Sequence, residues 1–255
     1  MSLFDEPVFV LTSDVDWASE YCVGDFLDCV IPFGIRPTVF MTHRSPLLEE
    51  CLAQELIEVG LHPNFLPGSD HGRDVQSVIE HMFRLVPNAV SFRSHAYVDS
   101  TEISLALVER GIKYDSNLCL YLQPNLKPLW HWLGTLRFPV FWEDDVHSFN
   151  GKGWDFSEFK ETFFSPGLKI LNVHPFMFAV NVPTYDYYQK RKEQGKHLTE
   201  KRAKSLRFKG PGERTFLLEL LAAVRDRGYA FQALGDLYHQ CRAEGLPAWR
   251  DDLDH

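Results

Sequence analysis

The residues able to do chemistry sit at the ends of short apolar runs. "VFVLTSDVD" finishes in Asp14 and Asp16, "LIEVGLHP" runs into His62, and "SFRSHAY" carries Arg93 and His95. "FPVFWEDD" closes on Glu143, Asp144 and Asp145, and "LKILNVHP" on His174. Side chains at i and i+2 leave a strand on one face, so Asp14 and Asp16 would repel unless a cation stood beside them. One aspartate and two imidazoles can bind a divalent metal while leaving positions for water and substrate. The second aspartate, kept ionised by that charge, would then act as a general base. Metal-assisted hydrolysis is the chemistry this set suggests.

Taken singly, each polar end has a plainer explanation, because a histidine after a strand usually just finds hydrogen-bond partners. Five such ends matter only if a fold gathers them. The apolar runs alternate with helical patterns. Leu47, Leu48, Cys51, Leu52 and Ile57 follow helical spacing, and "RDVQSVIEHMFRLV" ends before Pro87. "STEISLALVERGI" is opened by Ser100 and Thr101 and stopped by Gly111, and "GERTFLLELLAAVRDRG" is strongly amphipathic. This alternation predicts a mainly parallel sheet covered by helices. Seven or so strands in 255 residues suit an α/β barrel, whose strand carboxyl ends share one rim where a site is assembled. No glycine-rich phosphate fingerprint follows the first strand, which argues against a dinucleotide fold. No linker or repeat divides the chain, so residues 1–255 are expected to form one domain.

Composition narrows the classes further. Hydrophobic residues are 45% and charged residues 24%, ordinary for a globular chain with a sizeable core. Five scattered cysteines without a Cys-x-x-Cys pair support neither a disulfide framework nor a cysteine zinc site. With no signal-peptide pattern and no apolar run near the ~18 residues of a membrane span, a cytoplasmic protein is expected. The net charge of −9 disfavours general nucleic-acid binding. The segment Lys190–Lys209 departs from that trend. Nine Lys/Arg there face two Glu, a local +7 that leaves −16 on the rest. It is either a solvated helical face or a flap, around 184–212, that holds an anionic part of a substrate. "KGPGER" ahead of the last amphipathic helix offers free N–H groups, a second candidate for an anion.

In this order the motifs resemble the polysaccharide deacetylase superfamily (NodB-homology, carbohydrate esterase family four-like), and more closely its divergent WbmS-like branch, found with O-antigen sugar genes. "TSDVDW" is similar to the family's first motif, which makes Asp14 the catalytic base and Asp16 a metal ligand. "GLHPNF" resembles the second and makes His62 a ligand. Arg93 matches the third, "FWEDD" resembles the acidic-aromatic fourth, and "LNVHP" the last, with His174 as general acid. The resemblance spans roughly residues 8 to 180 and implies an irregular (β/α)7-8 barrel of the NodB-homology type. It also implies a divalent cofactor, with Zn²⁺ suited to the N/O donors, and removal of an acetyl or formyl group from an amino sugar, with a phosphate-bearing carrier as one option.

Two departures bear on the metal site. The second motif normally carries another His four residues on, and that position here is Leu66. The third ligand is then His95, which a strand end would hold rigidly, with His71 in "PGSDHG" as the alternative. His95 itself stands where the third motif usually has Pro. Arg93 is expected to pair with Asp14 or with an acid of "FWEDD", Asp144 foremost. Trp142 either packs on a sugar face or fills the barrel. The competing functions are a saccharide-binding barrel that has lost its metal, and another metal-dependent amidase acting on a non-sugar C–N bond.

Overall fold

The structure, a computed structural model, describes residues 3–244. It has ten strands: β1 Pro7–Asp14, β2 Thr38–Met41, β3 Glu58–Leu61, β4 Ser91–Phe92, β5 Tyr114–Asp115, β6 Leu129–Trp130, β7 Leu136–Arg137, β8 Val140–Glu143, β9 Gly167–Val173 and β10 Phe231–Gln232. They form one curled sheet in the order β6-β7-β5-β4-β3-β2-β1-β9-β8, with β10 added beside β1. All pairings are parallel except β6 with β7. This is the α/β barrel-type fold anticipated for a NodB-like chain, with more and shorter strands.

Every residue of β1 and β9 is buried, as near-continuous apolar runs require when both faces of a strand are covered. Where the curl would open, chain after β5 bridges to β8. Val140 N donates to Leu118 O at 2.8 Å, and Leu120 N to Val140 O at 2.9 Å. Inside the curl, a Cβ on Gly60 would lie 2.7 Å from the Phe40 ring, so only glycine admits that ring beside β3.

Helices cover the outside. Pro46–Ala53, Val75–Leu85, Thr101–Glu109 and Glu213–Asp226 match the helical patterns, although Ile57 falls beyond the first. Ser100 caps its helix by accepting from Ile103 N at 3.2 Å, which satisfies one otherwise orphaned donor. The helix Glu213–Asp226 docks through Phe216. Its ring centroid lies 5.3 to 5.9 Å from those of Trp142, Trp154, Phe156, Phe159 and Phe163. Emptying that position would cost about 3–5 kcal/mol. Trp142 is wholly buried in this cluster, so it fills the barrel wall and offers no face to a sugar. Among the described residues no helix is long and apolar enough to cross a membrane.

Candidate active site

The carboxyl ends of β1, β3, β4, β8 and β9 meet at one rim. The tight pair at the start of the chain is not built as strand periodicity suggests. β1 ends at Asp14, and Asp16 and Trp17 follow in left-handed conformations, with φ of 44° and 56°. Asp16 therefore reaches the site from a turn, on a backbone that non-glycine residues seldom adopt. His95 likewise lies past β4, in the short 3₁₀ turn His95–Tyr97, where Ala96 and Tyr97 are both left-handed. The two turns meet, with the His95 ring 5.4 Å from that of Trp17.

They bring three donors together. Oδ1 of Asp16 lies 3.1 Å from His62 Nε2 and 3.0 Å from His95 Nδ1. The ligand-capable atoms of Asp16, His62 and His95 all fall within 4.8 Å of one another, a donor set and spacing that fit a divalent cation. Burial pushes the Asp16 carboxyl up, but hydrogen bonds from His62 and His95 outweigh it and hold the group well below the usual carboxylate range. The His95 imidazole is pulled down by burial and raised beyond that by Asp16. His71 stands apart, its ring centroid 5.4 Å from Trp17 and 5.0 Å from His81, and its Nδ1 accepts from Asn64 N.

Beside that triad lies a buried charge network. Arg93 is fully buried and donates from Nη1 to Asp14 Oδ1 at 2.9 Å, to Thr12 Oγ1 at 2.9 Å and to Asn172 Oδ1 at 2.6 Å. Its Nε and Nη2 donate to the carbonyl and hydroxyl of Ser116. The second oxygen of Asp14 accepts from Asn172 Nδ2 at 2.9 Å. Of the two expected partners for Arg93, Asp14 is the one taken. Asp144 is occupied elsewhere, because its carboxylate accepts from His174 N at 2.7 Å and sits 2.6 Å from His174 Nδ1. Burial opposes a charged His174, yet Asp144, Asp145 and Asp16 together raise its pKa well above the ordinary value. Holding Nδ1 leaves Nε2 aimed into the cleft, 3.6 Å from Asp16 Oδ2.

Asn172 and Tyr97, which sequence reasoning gave no role, join the network with Glu143. Asn172 Nδ2 also donates to Glu143 Oε1 at 2.9 Å, and Tyr97 OH donates to Glu143 Oε2 at 2.6 Å. Burial and the neighbouring Asp145 push the Glu143 carboxyl up. The signal for Asn172 was its place two residues before His174, just as Thr12 stands two before Asp14, since alternate residues of a strand share a face.

Two adjoining clefts open onto these groups, of about 190 Å³ and 290 Å³, and share Asp16, His95, His174, Tyr188 and Lys192. Part of the basic segment thus does reach the rim, through Lys192 and Lys196. The expected anion site at "KGPGER" is closed by the protein itself. Glu213 N donates to Val182 O, Gly212 N to Thr215 Oγ1, and Thr215 N to Asn181 Oδ1.

Fold and site together define a deacetylase-type barrel, and comparison with known proteins gives the same class. The WbmS-like polysaccharide deacetylase family matches residues 11–192. A Bordetella bronchiseptica protein assigned as a polysaccharide deacetylase involved in O-antigen biosynthesis is 32% identical, with a TM-score of 0.76, over 84% of this chain and 90% of that one. A 4-alpha-glucanotransferase from Thermococcus litoralis shares the fold at 11% identity and a TM-score of 0.54, over 92% of this chain and 38% of that one. A carbohydrate esterase family four pseudoenzyme from Bacillus anthracis is 12% identical with a TM-score of 0.48, over 90% of this chain and 64% of that one. No curated protein sequence matches. The chain belongs to the WbmS-like polysaccharide deacetylase family.

Proposed function

We propose that this protein is a metal-dependent hydrolase that removes an N-acyl group, acetyl or formyl, from an amino sugar during surface-polysaccharide synthesis. The observation that carries this reading is the convergence of Asp16, His62 and His95 on one point, with Asp14 3.7 Å from His62 and His174 3.6 Å from Asp16. A divalent ion held by those three residues, Zn²⁺ being well matched to two imidazoles and a carboxylate, supplies Lewis-acid polarisation of the amide carbonyl and a more acidic water.

The remaining chemistry falls to the chain. Asp14 takes the proton of the attacking water; a carboxylate has about four acceptor positions, so its bonds to Arg93 and Asn172 leave room. Arg93 holds that carboxylate in place. His174, charged and fixed by Asp144, hands a proton from Nε2 to the departing amine, which leaves poorly as an anion. Proton uptake by Asp14 and delivery by His174 let the amide break without a free hydroxide or an amide anion.

A second reading, a binding barrel without catalysis, draws on Leu66 standing where the family has a ligand. Against it, His95 supplies a second imidazole beside Asp16, and the buried Arg93–Asp14 and His174–Asp144 pairs are more than sugar binding needs. Five unpaired cysteines suit a reducing cytoplasm, where a sugar would travel on a phosphate-bearing carrier. The test is amine release from a panel of N-acylated amino sugars by metal-loaded protein. Release that vanishes on chelation and returns with metal supports the hydrolase. Saccharide binding with no release from any member, whatever the metal, leaves the binding barrel.

A further inference from the structure

Most of the positive charge in Lys190–Lys209 is either used by the fold or turned away from the site. Lys190 pairs with Asp186 at 2.6 Å, Lys204 with Glu200 at 2.5 Å, and Arg207 with Asp25 at 2.7 Å. Arg191 lies over the Tyr187 ring, 3.8 Å from its centroid. Lys201, Arg202 and Lys209 are exposed and line neither cleft. Lys192 and Lys196 differ from all of these. Among the described residues no carboxylate lies within ion-pairing distance of either one, and both line the cleft that holds Asp16, His95 and His174.

The arm carrying them is fastened in place. Ser19 N donates to Gly195 O at 3.0 Å, and Ser19 Oγ donates to Leu198 O at 2.7 Å. Gly195 is buried against Phe176, where an added Cβ would come within 3.1 Å of the ring. Lys196 extends over Trp17, its Nζ 5.2 Å from the ring centroid. Glu193 shares this rim, which leaves two cations to one anion there. Behind the rim, Lys192 also lines the adjoining cleft, where Asp14, Asp16 and Glu143 meet His62, His95 and His174. The entrance is therefore positive, on a chain whose net charge is −9.

We infer that Lys192 and Lys196 form an anion-reading rim, so that the substrate carries an oxyanion, a phosphate ester or a sugar carboxylate, on the side facing away from the N-acyl group. This rests on the reading that a saccharide enters the cleft acyl end first. A neutral sugar would gain nothing from the two ammonium groups. An anion would meet both at the mouth, and that contact fixes which end of the substrate stays outside.

The test measures binding by calorimetry on the full chain, wild type against the Lys192→Gln/Lys196→Gln double variant. The probes are N-acetylglucosamine, its 1-phosphate, and the 6-carboxylate N-acetylglucosaminuronate. In the wild type at low salt, at least one anion is expected to bind about tenfold more tightly than the neutral sugar. The double variant loses that advantage, Lys192→Arg/Lys196→Arg restores it, and 0.5 M salt shrinks it, with a Debye length of only a few Å. Whichever anion shows the larger advantage names the group. Equal binding of all three probes by the wild type, an advantage that survives in the Gln variant, or no binding of either anion at millimolar concentration each overturns the inference. Lysine-dependent discrimination without amine release would instead sink the hydrolase and leave the rim standing.

Discussion

Arg93 and Asp14 form an ion pair of 2.9 Å with both side chains withdrawn from solvent. A buried cation on a single carboxylate is poorly compensated, and here Thr12, Ser116 and Asn172 take the remaining guanidinium donors. Arg93→Met would strand Asp14 without its counter-charge and is expected to lower stability by about 3–5 kcal/mol. Arg93→Lys keeps the charge but not the fork, so it should unfold at an intermediate denaturant concentration. Urea melts of the three proteins check the order, and a Met variant as stable as the Lys variant would contradict it.

The two aspartates have separable jobs in the proposed reaction. Asp14→Asn should reduce turnover by about 10²–10⁴-fold, the usual contribution of a general base, while metal content stays at the wild-type level. Some stability is lost as well. An amide oriented to accept from Arg93 turns its NH₂ towards Asn172 Nδ2, itself a donor. Metal analysis of the folded fraction is decisive, and a variant that loses metal while keeping partial activity reverses the roles of Asp14 and Asp16.

Asp16→Ala removes the carboxylate between His62 and His95. Zn²⁺ at about 100 times its dissociation constant should stabilise the wild type by about 2.7 kcal/mol and the variant far less. Thermal melts with and without metal read this directly. An equal shift in both proteins would move the ion to another site.

Lys169 lies in the middle of β9, fully buried, with Nζ donating to Pro166 O at 3.1 Å and 4.4 Å from the Phe141 ring centroid. Burial pulls its pKa from 10.5 to about 8. Between about pH 8 and pH 10 the unfolded chain then holds the proton more often than the folded one, so stability rises with pH across that window. Below it both states are charged and the full penalty applies. Relative to Lys169→Met, the wild type should gain up to about 1.4 kcal/mol per pH unit there. Parallel stability curves for the two proteins would show that Lys169 titrates normally.

How much of this could be seen in the chain alone depends on how each residue is held. Asp14, His62 and His174 stand out because they interrupt apolar runs at strand ends, where a polar residue has to have a reason. Asp16 and His95 stand out too, yet the same-face argument for them misses the way they arrive. Left-handed backbone is usually advertised by Gly or Asn, and the turns here use Asp16, Trp17, Ala96 and Tyr97. Asn172 is concealed inside "KILNV", where an interior barrel position looks like any core residue until its partners are known. The span 114–137 gives little signal because β5, β6 and β7 are two residues each, too short for an alternating pattern. Lys192 and Lys196 belong to a charge run that sequence marks correctly, but only the fold separates them from Lys201 and Arg202.

Asp144 makes the clearest pH test. Its carboxylate touches His174 twice, at Nδ1 and at the backbone N–H, and it is the leading reason the imidazole stays charged despite burial. The proposed acid must be protonated to work, so activity falls as pH rises through the pKa of His174. Asp144→Asn removes the attraction that raises this value, and the alkaline limb of kcat/KM is expected to move down by about one unit or more. A pH profile of the variant that is lower at every pH with the alkaline limb in place would mean that Asp144 orients His174 without tuning its proton.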